Sequence, residues 1–566
     1  MMNKETATLL EEHFDTAFAA PDGVAKLREL ILTLAMQGRL VEQDPNDPPA
    51  SELLKEIEAE KQRLIKEKKI KKPKLLPLIK LEEVPYKVPQ GWEWVRLGNI
   101  GIINPRNDVN DSTKAGFVPM PLVSNGYSEK HQFEERLWRE IKKGYTHFAD
   151  GDVGMAKITP CFENAKSCVF SGLPNGVGAG TTELHIFRNT FNSVVPRFLL
   201  YHLKNPHFIS SAASNMTGSA GQKRIPTPYF TEQLFPLPPL PEQHRIVARI
   251  DQLMASCDAL EKLHKEREEK RLAVHAAAIR GLLDASDGSA WHFIGQHFSE
   301  LYTVKENVAE LRKAILQLAV MGRLVPQDPN DPPAGELLKE IQAEKQRLIK
   351  EKKIKKPKPL PPIAPEEEPY EVPQGWAWVR LGNIGIINPR NDADDLIKAG
   401  FVPMPMVPGG YSEKHQFKER PWSEIKKGYT HFADGDVGMA KITPCFENAK
   451  SCVFSGLPNG IGAGTTELHI FRNTLNSVVP RFLLYYLKNP HYISKVAPNM
   501  TGSAGQKRVP TPYFTEQLFP LPSLPEQDRI VARIDQLMAL CDSLEQQIDA
   551  ASGKQTELLN AVMAQV

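Results

Sequence analysis

The sequence predicts an α+β protein in which one multidomain unit is written twice. VPQGWEWVRLGNIGIINPRND, from Val88, recurs as VPQGWAWVRLGNIGIINPRND from Val372, at an offset of 284 residues. Each copy changes from helical periodicity to short β-like runs and then back to helix. Each copy also ends in a long helical stretch with coiled-coil spacing. The expected fold is therefore two α+β domains separated by long antiparallel coiled-coil helices, with an internal pseudo-two-fold repeat.

The composition excludes several other classes of protein. The chain has 566 residues, of which 41% are hydrophobic and 24% charged, so it is globular rather than disordered. It contains no apolar run of about 18 residues, the length that a membrane-spanning helix needs. The net charge is only +2, so a polyanionic partner must be recognised through local charge. The six cysteines do not form a disulfide framework and the N-terminus has no apolar signal segment, which predicts a cytoplasmic protein with reduced thiols.

The first part of each copy is predicted to be helical. VAKLRELILTLAMQG, from Val24, places leucines at helical spacing, and Gly38 is its expected C-cap. The turn DPNDPP leads into a second helix, SELLKEIEAEKQRLIKEKKIKKPK, which Pro73 is expected to end. A linker rich in proline then runs to about Tyr86.

The middle of each copy is predicted to be an α+β domain. From Gly91 to about Pro238, β-like runs (VRLGNIGII, GDVGMAKI, SCVF, ELHIF) are broken by Gly, Asn and Pro. One amphipathic helix, VPRFLLYHLKNPHFI, is expected from Val195.

A long helix follows the motif PLPPLPEQ. Its apolar residues alternate at spacings of four and three, as in a coiled-coil seam, and the second copy repeats the pattern. The seam residues are Ile246, Ile250, Leu253, Cys257 and Leu260, then Ile530, Ile534, Leu537, Cys541, Leu544 and Ile548. Two equal helices most simply pack against each other, antiparallel, as a spacer of ~60 Å for ~40 residues.

These motifs, in this order, resemble those of type I restriction–modification specificity subunits. The resemblance rests on Gly91-Trp92 with Leu97-Gly98, on PLPPLPEQ, on KITPCFENAK, GTTE and TGSAGQKR, and on LRELILTLAMQGRLVEQD. It covers nearly the whole chain, twice, and implies a non-catalytic subunit that recognises double-stranded DNA. It further implies two methyltransferase subunits as partners, and two motor–nuclease subunits where restriction occurs. S-adenosylmethionine is then expected on the methyltransferase partners, with no cofactor and no metal held by this chain.

The resemblance also implies a domain order. Residues 1–84 form the N-terminal helices and basic linker, residues 85–240 the first target recognition domain, and residues 241–305 the central long helix and connector. Residues 306–368 repeat the helices and linker, residues 369–524 form the second target recognition domain, and residues 525–566 the C-terminal long helix.

The two recognition domains are unusually alike. Between Pro85 and Ala255 roughly nine positions in ten agree with the second copy, whereas the two domains usually differ in this family. If each domain contacts one half of a split target, the half-sites are inverted copies. The sequence therefore predicts a near-palindromic, interrupted target, whose gap the helices set.

Three segments of each domain supply candidate DNA-contacting residues. Their lysine, arginine, amide and hydroxyl groups suit phosphates and base edges, and a glutamate suits cytosine N4. The first-copy candidates are Lys157, Thr159, Asn164, Lys166, Thr181, Thr182, Glu183, Gln222, Lys223 and Arg224. The second-copy candidates are Lys441, Thr443, Asn448, Lys450, Thr465, Thr466, Glu467, Gln506, Lys507 and Arg508. The alternative for each is that it satisfies local backbone groups in a turn.

Two further features stay open. Tyr127 and Tyr411 are weaker candidates for DNA contact. The lysine-rich runs Lys61–Lys74 and Lys345–Lys358 either contact phosphates, form a solvated helix end, or serve as a docking arm for the methyltransferase.

Other chemistries are disfavoured by what the motifs lack. TGSAGQKR lacks the Gly-Lys-Ser/Thr of a phosphate-binding loop, and Cys161 and Cys168 lack zinc-finger partners. Asp47-Pro48-Pro49 is followed by Ala50 rather than by the aromatic residue of an adenine methyltransferase, so a turn before a helix explains it better. The rival functions are a self-sufficient methyltransferase or nuclease, which would modify DNA unaided, and a protein-binding scaffold, which would show no salt-dependent DNA affinity.

Overall fold

The computed structural model describes residues 14–15, 18–127, 130–219, 221–284, 288–354, 356–411, 414–473, 475–503 and 505–564. The chain divides into two compact units. The first comprises residues 1–267 and 551–566, and the second residues 268–550. The division falls inside both long helices, so each unit contains most of one copy and the end of the other copy's long helix.

The helices of the first copy and connector alternate with short strands. They are α1 (Gly23–Met36), α2 (Ala50–Lys66), α3 (Leu97–Ile100), α4 (Trp138–Ile141), α5 (Pro196–Leu203), α6 (Pro206–Ser214), α7 (Thr227–Glu232), α8 (Leu240–Asp284), α9 (Ser289–Gln296) and α10 (Phe298–Leu301). The helices of the second copy are α11 (Lys305–Val320), α12 (Ala334–Lys350), α13 (Leu381–Ile384), α14 (Trp422–Ile425), α15 (Pro480–Lys488), α16 (Pro490–Val496), α17 (Thr511–Glu516) and α18 (Leu524–Ala564).

Ten strands build the first recognition domain. They are β1 (Glu93–Arg96), β2 (Ile102–Ile103), β3 (Lys114–Val118), β4 (Glu134–Leu137), β5 (Thr146–Ala149), β6 (Val153–Ala156), β7 (Ser167–Val169), β8 (Val177–Gly180), β9 (Leu184–Arg188) and β10 (Leu234–Leu237). Two four-stranded sheets have the orders β2-β9-β6-β7 and β4-β3-β8-β5, and β1 pairs with β10. Only the β3–β8 pair is parallel among these described pairings. The α+β class is therefore confirmed.

The second domain repeats this topology at the 284-residue offset. Its strands are β11 (Ala377–Arg380), β12 (Ile386–Ile387), β13 (Lys398–Val402), β14 (Lys418–Pro421), β15 (Thr430–Ala433), β16 (Val437–Ala440), β17 (Ser451–Val453), β18 (Ile461–Gly464), β19 (Leu468–Arg472) and β20 (Leu518–Leu521). The sheet orders are β12-β19-β16-β17 and β14-β13-β18-β15, with β11 paired to β20. The predicted duplication is thus confirmed strand by strand.

Each domain has three apolar clusters among the described residues, of which two connect the sheets and helices that carry the loops. In the first domain, Phe148 and Phe170 stack at 3.7 Å between ring centroids, inside a cluster that includes Val118 and Ile186 from both four-stranded sheets. A larger core joins α1, α2, the helices after β9 and the start of α8. Because helices and sheets share this core, the loops at its edge are held on a rigid base.

The N-terminal helices partly follow the expectation. Gly38 lies directly after the C-cap of α1 with φ +69°, a left-handed conformation that favours glycine, as predicted. The second helix, however, ends at Lys66 rather than at Pro73. Lys68 has φ +56°, and the N–H of Lys69 donates to the carbonyl of Leu64 at 2.9 Å, which closes the helix early. The lysines that follow are therefore outside the helix.

The single helix expected from Val195 is two helices. α5 ends at Leu203, and α6 begins at Pro206, whose missing N–H suits the first turn of a helix. The side chain of Asn205 caps α6 by accepting a hydrogen bond from the N–H of His207 at 2.9 Å. The sequence NPH therefore starts a new helix instead of continuing the old one.

The long helices are present, but their predicted seam packs differently. Ile246, Ile250 and Cys257 are buried in the core of their own unit, in one cluster with Trp92 and Phe198. The spacing of four and three therefore marks a face of α8 that covers the recognition domain, and the second copy repeats this burial. The pairing of the two long helices with each other stays a prediction.

The motif PLPPLPEQ joins each domain to its long helix. Glu242 is 2% exposed and accepts hydrogen bonds from Trp92 Nε1 at 2.9 Å and Gln43 Nε2 at 2.7 Å. Its burial raises the pKa of the carboxyl. Arg245 pairs with Asp47 at 2.6 Å, so the Asp-Pro-Pro turn is tied to α8 and precedes α2, as the sequence predicts.

Candidate nucleic-acid interface

The three candidate segments of the first domain meet in space. The N–H of Lys157 donates to the carbonyl of Glu183 at 2.9 Å, and the N–H of Thr159 donates to that of Lys223 at 3.0 Å. The N–H of Ile225 donates a hydrogen bond to the carbonyl of Lys157 at 2.8 Å. We call the described residues of the segments 157–166, 181–183, 217–219 and 221–224 together the loop cluster. Segments that are distant in sequence are thus one continuous surface.

The same cluster is built in the second domain. Lys441 donates to the carbonyl of Glu467 at 2.9 Å, and Thr443 donates to that of Lys507 at 3.0 Å. The N–H of Val509 donates to the carbonyl of Lys441 at 2.8 Å. We call the described residues of the segments 441–450, 465–467, 501–503 and 505–508 the second loop cluster.

The glycine-rich segment of the loop cluster is a closed hairpin. Thr217 and Arg224 exchange both backbone hydrogen bonds, at 2.9 and 2.8 Å. Gly218 has φ +125°, and a Cβ there would lie 2.9 Å from the carbonyl oxygen of Gln222. A side chain at this position would therefore be strained by both conformation and space. The hairpin leaves Gln222 and Lys223 exposed near its end.

Two candidate residues neutralise each other. Arg224 donates from Nε and Nη2 to the two carboxylate oxygens of Glu183 at 2.9 and 3.0 Å, and from Nη1 to the carbonyl of Gln222. Arg508 and Glu467 form the same pair, and Arg508 lowers the pKa of Glu467. A bidentate pair of this kind fixes the hairpin against the 181–183 turn. The two charges therefore stabilise the cluster itself.

Other candidate residues also form hydrogen bonds within the domain or are partly buried in it. The Nζ of Lys166 donates to the carbonyl of Met120 at 3.0 Å, and that of Lys450 to the carbonyls of Met404 and Val407. Thr181 Oγ1 accepts a hydrogen bond from the N–H of Glu183 at 3.2 Å, which makes it a turn residue. Thr159 Oγ1 is buried, whereas its counterpart Thr443 accepts a hydrogen bond from the N–H of Lys507. Lys157 and Lys441 are half-buried.

The remaining candidates are exposed in both copies. They are Asn164, Thr182, Gln222 and Lys223, with Asn448, Thr466, Gln506 and Lys507 as their counterparts. They combine amide, hydroxyl and ammonium groups, which can donate to phosphates and pair with base edges. The structure thus separates eight candidates that face solvent from those that hold the loops.

Tyr127 and Tyr411 lie elsewhere. Tyr127 packs against the core under the guanidinium of Arg28, 6.0 Å from the ring centroid, and burial raises its pKa to about 12. Tyr411 has the same relation to Arg312 at 5.8 Å. Both rings therefore help to pack the domain.

Sequence reasoning missed a buried lysine that supports the loop cluster. Lys204 is 2% exposed, and its Nζ donates to the carbonyls of Gly126 at 2.6 Å and Ala165 at 3.0 Å. Lys488 repeats both contacts. In sequence it is an ordinary polar residue near the end of an amphipathic helix, so no local signal marks it.

His185 supports the hairpin through a hydrogen bond to Ile225, the residue that follows it. Its Nε2 donates to the carbonyl of Ile225 at 2.8 Å, since a carbonyl can only accept, and its ring stacks on Phe230 at 5.0 Å. Nδ1 is left as an acceptor, 3.4 Å from Asn104 Nδ2. Burial lowers the pKa of His185, and likewise that of His469, to about 4.

This neutral histidine predicts a pH-dependent stability. Between about pH 6.5 and 4 the unfolded chain binds a proton at this residue that the folded domain does not, so stability falls as the pH falls through that window. The expected loss is about 3 kcal/mol for each copy below pH 4. We expect the variant His185→Gln with His469→Gln to lose stability less steeply than the parent in urea unfolding between pH 6.5 and 4. Parallel pH profiles for the two proteins would contradict this role.

The lysine-rich runs are mostly solvated. In the first, Arg63 pairs with Glu60 and Glu67, and Lys69 pairs with Glu67. Lys68, Lys71, Lys72 and Lys74 are exposed. In the second, Arg347 pairs with Glu344 and Glu351, and Lys353 with Glu351. These geometries leave the solvated-end, phosphate and docking hypotheses open.

The described residues show neither a metal site nor a spanning helix. No three His, Cys, Asp or Glu side chains in the described ranges are grouped as metal ligands. None of the helices within those ranges has the length and apolarity to cross a membrane. Cys168 and Cys452 are fully buried, and burial raises the pKa of each thiol to about 12. Each therefore behaves as a small apolar side chain.

The chain is a duplicated α+β domain in which each copy carries an exposed polar loop cluster and ends in a long helix. The family model for the type I restriction modification DNA specificity domain matches residues 174–269 and 463–551. The chain is 42% identical to the type I restriction enzyme EcoAI specificity subunit of Escherichia coli, over 95% of this chain and 93% of that one. It is 38% identical to the EcoEI specificity subunit of the same organism, with the same coverage. The crystal structure of the HsdS subunit from Thermoanaerobacter tengcongensis aligns with a TM-score of 0.45 and 21% identity, over 86% of this chain and 98% of that chain.

The protein belongs to the family of type I restriction–modification specificity subunits. Members of this family are the non-catalytic, DNA-recognising subunits of their complexes. The resemblance stated from the motifs is thereby confirmed.

Proposed function

We propose that this chain recognises a split, near-palindromic DNA target, with one half-site for each recognition domain. The observation that carries the proposal is that both domains build the same loop cluster from the same candidate residues. The hydrogen bonds that fix the clusters agree within about 0.1 Å between the copies, for example 2.9 Å for Lys157 to Glu183 and for Lys441 to Glu467. Two domains with the same contact residues are expected to bind the same half-site sequence. If a pseudo-two-fold axis relates the domains, the two half-sites are inverted and the whole target is self-complementary.

The DNA contacts are proposed for the exposed residues of each cluster. Lys223 and Lys507 supply charge for phosphates, while the amides of Gln222 and Gln506 can donate to the N7 and accept from the N6 amino group that adenine presents in the major groove. Asn164 and Thr182, with their counterparts, border the same surface. Arg224 and Glu183 act as a brace that holds the hairpin in place.

The partners follow from the family. We propose that the chain positions two methyltransferase subunits, and two motor–nuclease subunits where restriction occurs, on the bound DNA. S-adenosylmethionine would be held by the methyltransferase partners. The long helices, ~60 Å over ~40 residues, would set the gap between half-sites, since one turn of DNA is ~34 Å.

The target is tested by mapping DNA methylation in cells that express the chain with its methyltransferase. We expect modified adenine on both strands of one interrupted motif whose halves are reverse complements. Deleting this chain alone should abolish modification at that motif. Two unrelated half-sites would contradict the proposed symmetry, and methylation by the purified chain alone would contradict its non-catalytic role.

A further inference from the structure

The first unit contains a cavity that the proposed DNA contacts do not use. Its volume is about 690 Å³, which is within the usual range for small-molecule sites. It lies between the end of α1, the linker before β1, the strand β1, and helices α6 and α7. The walls include the rings of Tyr86, Trp94, Phe208 and Tyr229. None of these residues belongs to the loop cluster.

The second unit closes the equivalent space. The cavity there has a volume of about 20 Å³, although most of its walls, including Tyr370 and Trp378, are the same residues. Four substitutions place larger side chains around it: Gln317 for Thr33, Tyr486 for His202, Tyr492 for Phe208 and Lys495 for Ser211. The two copies thus differ in this cavity while they agree in the loop cluster.

His202 and its counterpart Tyr486 differ in their hydrogen bonding. His202 is 7% exposed, both ring nitrogens are closed to solvent, and neither has a hydrogen-bond partner among the described residues, so a ligand reaches them only when the imidazole ring turns. In the second unit, Tyr486 Oη donates to the carbonyl of Leu518 at 2.5 Å, so the longer phenol satisfies the position. A buried polar group without a partner costs about 1–3 kcal/mol, which a ligand could recover by pairing with it.

The guanidinium in the wall is already neutralised, and the wall also includes the exposed side chains of Glu232 and His207. Arg96 pairs with Glu83 at 2.9 Å and donates to the carbonyls of Pro77 and Glu232. Trp94 Nε1 donates to the carbonyl of Tyr86 at 3.3 Å, and Tyr86 Oη donates to that of Met36 at 3.0 Å. Burial lowers the pKa of His202 to about 3, so the imidazole is neutral, with one donor and one acceptor. The cavity therefore offers aromatic walls, the neutral imidazole and the amides of Gln37, Asn205 and Gln233 as pairing groups, with no free guanidinium for an anion.

We propose that the cavity of the first unit binds a small, uncharged heteroaromatic molecule whose ring nitrogen pairs with His202. The aromatic walls supply apolar and stacking contact, and the imidazole fixes the orientation of the ligand. The second unit does not bind the same molecule, because its larger side chains fill the space.

The two copies supply the variants for a test. Benzimidazole is the probe, since it is planar and has one ring N–H and one unprotonated nitrogen, and binding to the full chain is measured by saturation-transfer NMR and by titration calorimetry. We expect one site per chain, and no binding of benzoate. The variant His202→Tyr with Ser211→Lys introduces the second copy's side chains and should lower the affinity at least about tenfold, the effect of removing one hydrogen bond.

The reverse exchange tests the second unit. Tyr486→His with Tyr492→Phe, Lys495→Ser and Gln317→Thr should create a second site, so that the stoichiometry rises from one to two. Thermal unfolding is followed for every variant, and His202→Tyr alone should raise the midpoint because the phenol supplies the missing hydrogen bond. Absence of benzimidazole binding to the parent protein, or equal binding after His202→Tyr with Ser211→Lys, would overturn the proposal.

Discussion

Replacing Asp152 and Asp436 by alanine is expected to destabilise each recognition domain by about 3–5 kcal/mol, the usual cost of breaking a buried ion pair from one side. Asp152 is 2% exposed and accepts from Arg188 Nε at 2.9 Å and Nη2 at 2.7 Å. It also accepts from the N–H of Ala149 at 2.7 Å, between β5 and β6. The alanine variant leaves the guanidinium partly buried, with Asn107 as its remaining side-chain partner among the described residues.

The change is made in both copies because Glu140–Gly176 and Glu424–Gly460 are identical, so a variant in one copy would leave an unchanged equivalent segment that contributes to the same signal. Urea unfolding is followed through tryptophan fluorescence, to which the buried Trp138 and Trp422 of the same domains contribute. A matched control is Asp111→Ala with Asp395→Ala. These residues pair with Lys142 and Lys426 at the surface, where an ion pair contributes about 0–1 kcal/mol. Equal midpoints for the two variants would show that burial does not make the Asp152 pair important.

Adding Arg188→Met and Arg472→Met to the aspartate variant separates two explanations. If the destabilisation comes from an uncompensated charge, removing that charge should restore part of the stability. If it comes from the broken hydrogen bond to Ala149, the arginine changes should restore nothing.

The repeat made most of the fold predictable. Because each pattern recurs 284 residues later, the chain provides two examples of every predicted element. The β-like runs GDVGMAKI, SCVF and ELHIF each contain a strand at the expected place. The errors arose where a local backbone event decided the outcome. Lys68 takes a left-handed conformation and ends α2, and Asn205 with Pro206 starts a new helix. Neither event changes the hydrophobic periodicity on which the prediction relied.

The seam of α8 illustrates a different limit. A helix that covers a domain and a helix that pairs with another helix both need an apolar face at spacings of four and three, so the pattern alone does not identify the partner. Ile246 and Ile250 meet the domain core because β1, β10 and α5 present an apolar surface beside them. Only the three-dimensional arrangement of those elements decides between the two.

For the loop cluster, residue type indicated the segments but not the role of each side chain. Arg224 and Glu183 are 41 positions apart, and the sequence contains no sign that they pair. Lys166 reaches a carbonyl 46 positions away, and Lys204 one 78 positions away. Such long-range partners come together only because the fold places β6, β9 and the hairpin next to one another. The assignment of individual residues to DNA contact stays a prediction.

Replacing Lys223 and Lys507 by glutamine is expected to weaken DNA binding by the assembled methyltransferase and to reduce its salt dependence. Each lysine is exposed at its hairpin, and removing one phosphate neutralisation should lower the slope of log K against log salt by about 0.9, hence by about 1.8 for the pair. The affinity should fall about 10- to 100-fold at moderate salt, if each lysine contributes about 1 kcal/mol or slightly more. Fluorescence anisotropy with a duplex that contains the mapped motif, at four or more salt concentrations, gives both quantities.

The control for this experiment removes the same charge elsewhere on the same domains. Lys143 and Lys427 are exposed and lie outside the loop clusters, so Lys143→Gln with Lys427→Gln should retain the parental slope. The changes at the hairpin should not affect methyltransferase assembly, which size-exclusion chromatography can verify. Arg224 is left intact, because removing its brace to Glu183 would move the hairpin and confuse the two effects. If the hairpin variant and the control have the same affinity and slope, the hairpin does not contact DNA, and the exposed residues Asn164 and Thr182 become the ones to replace next.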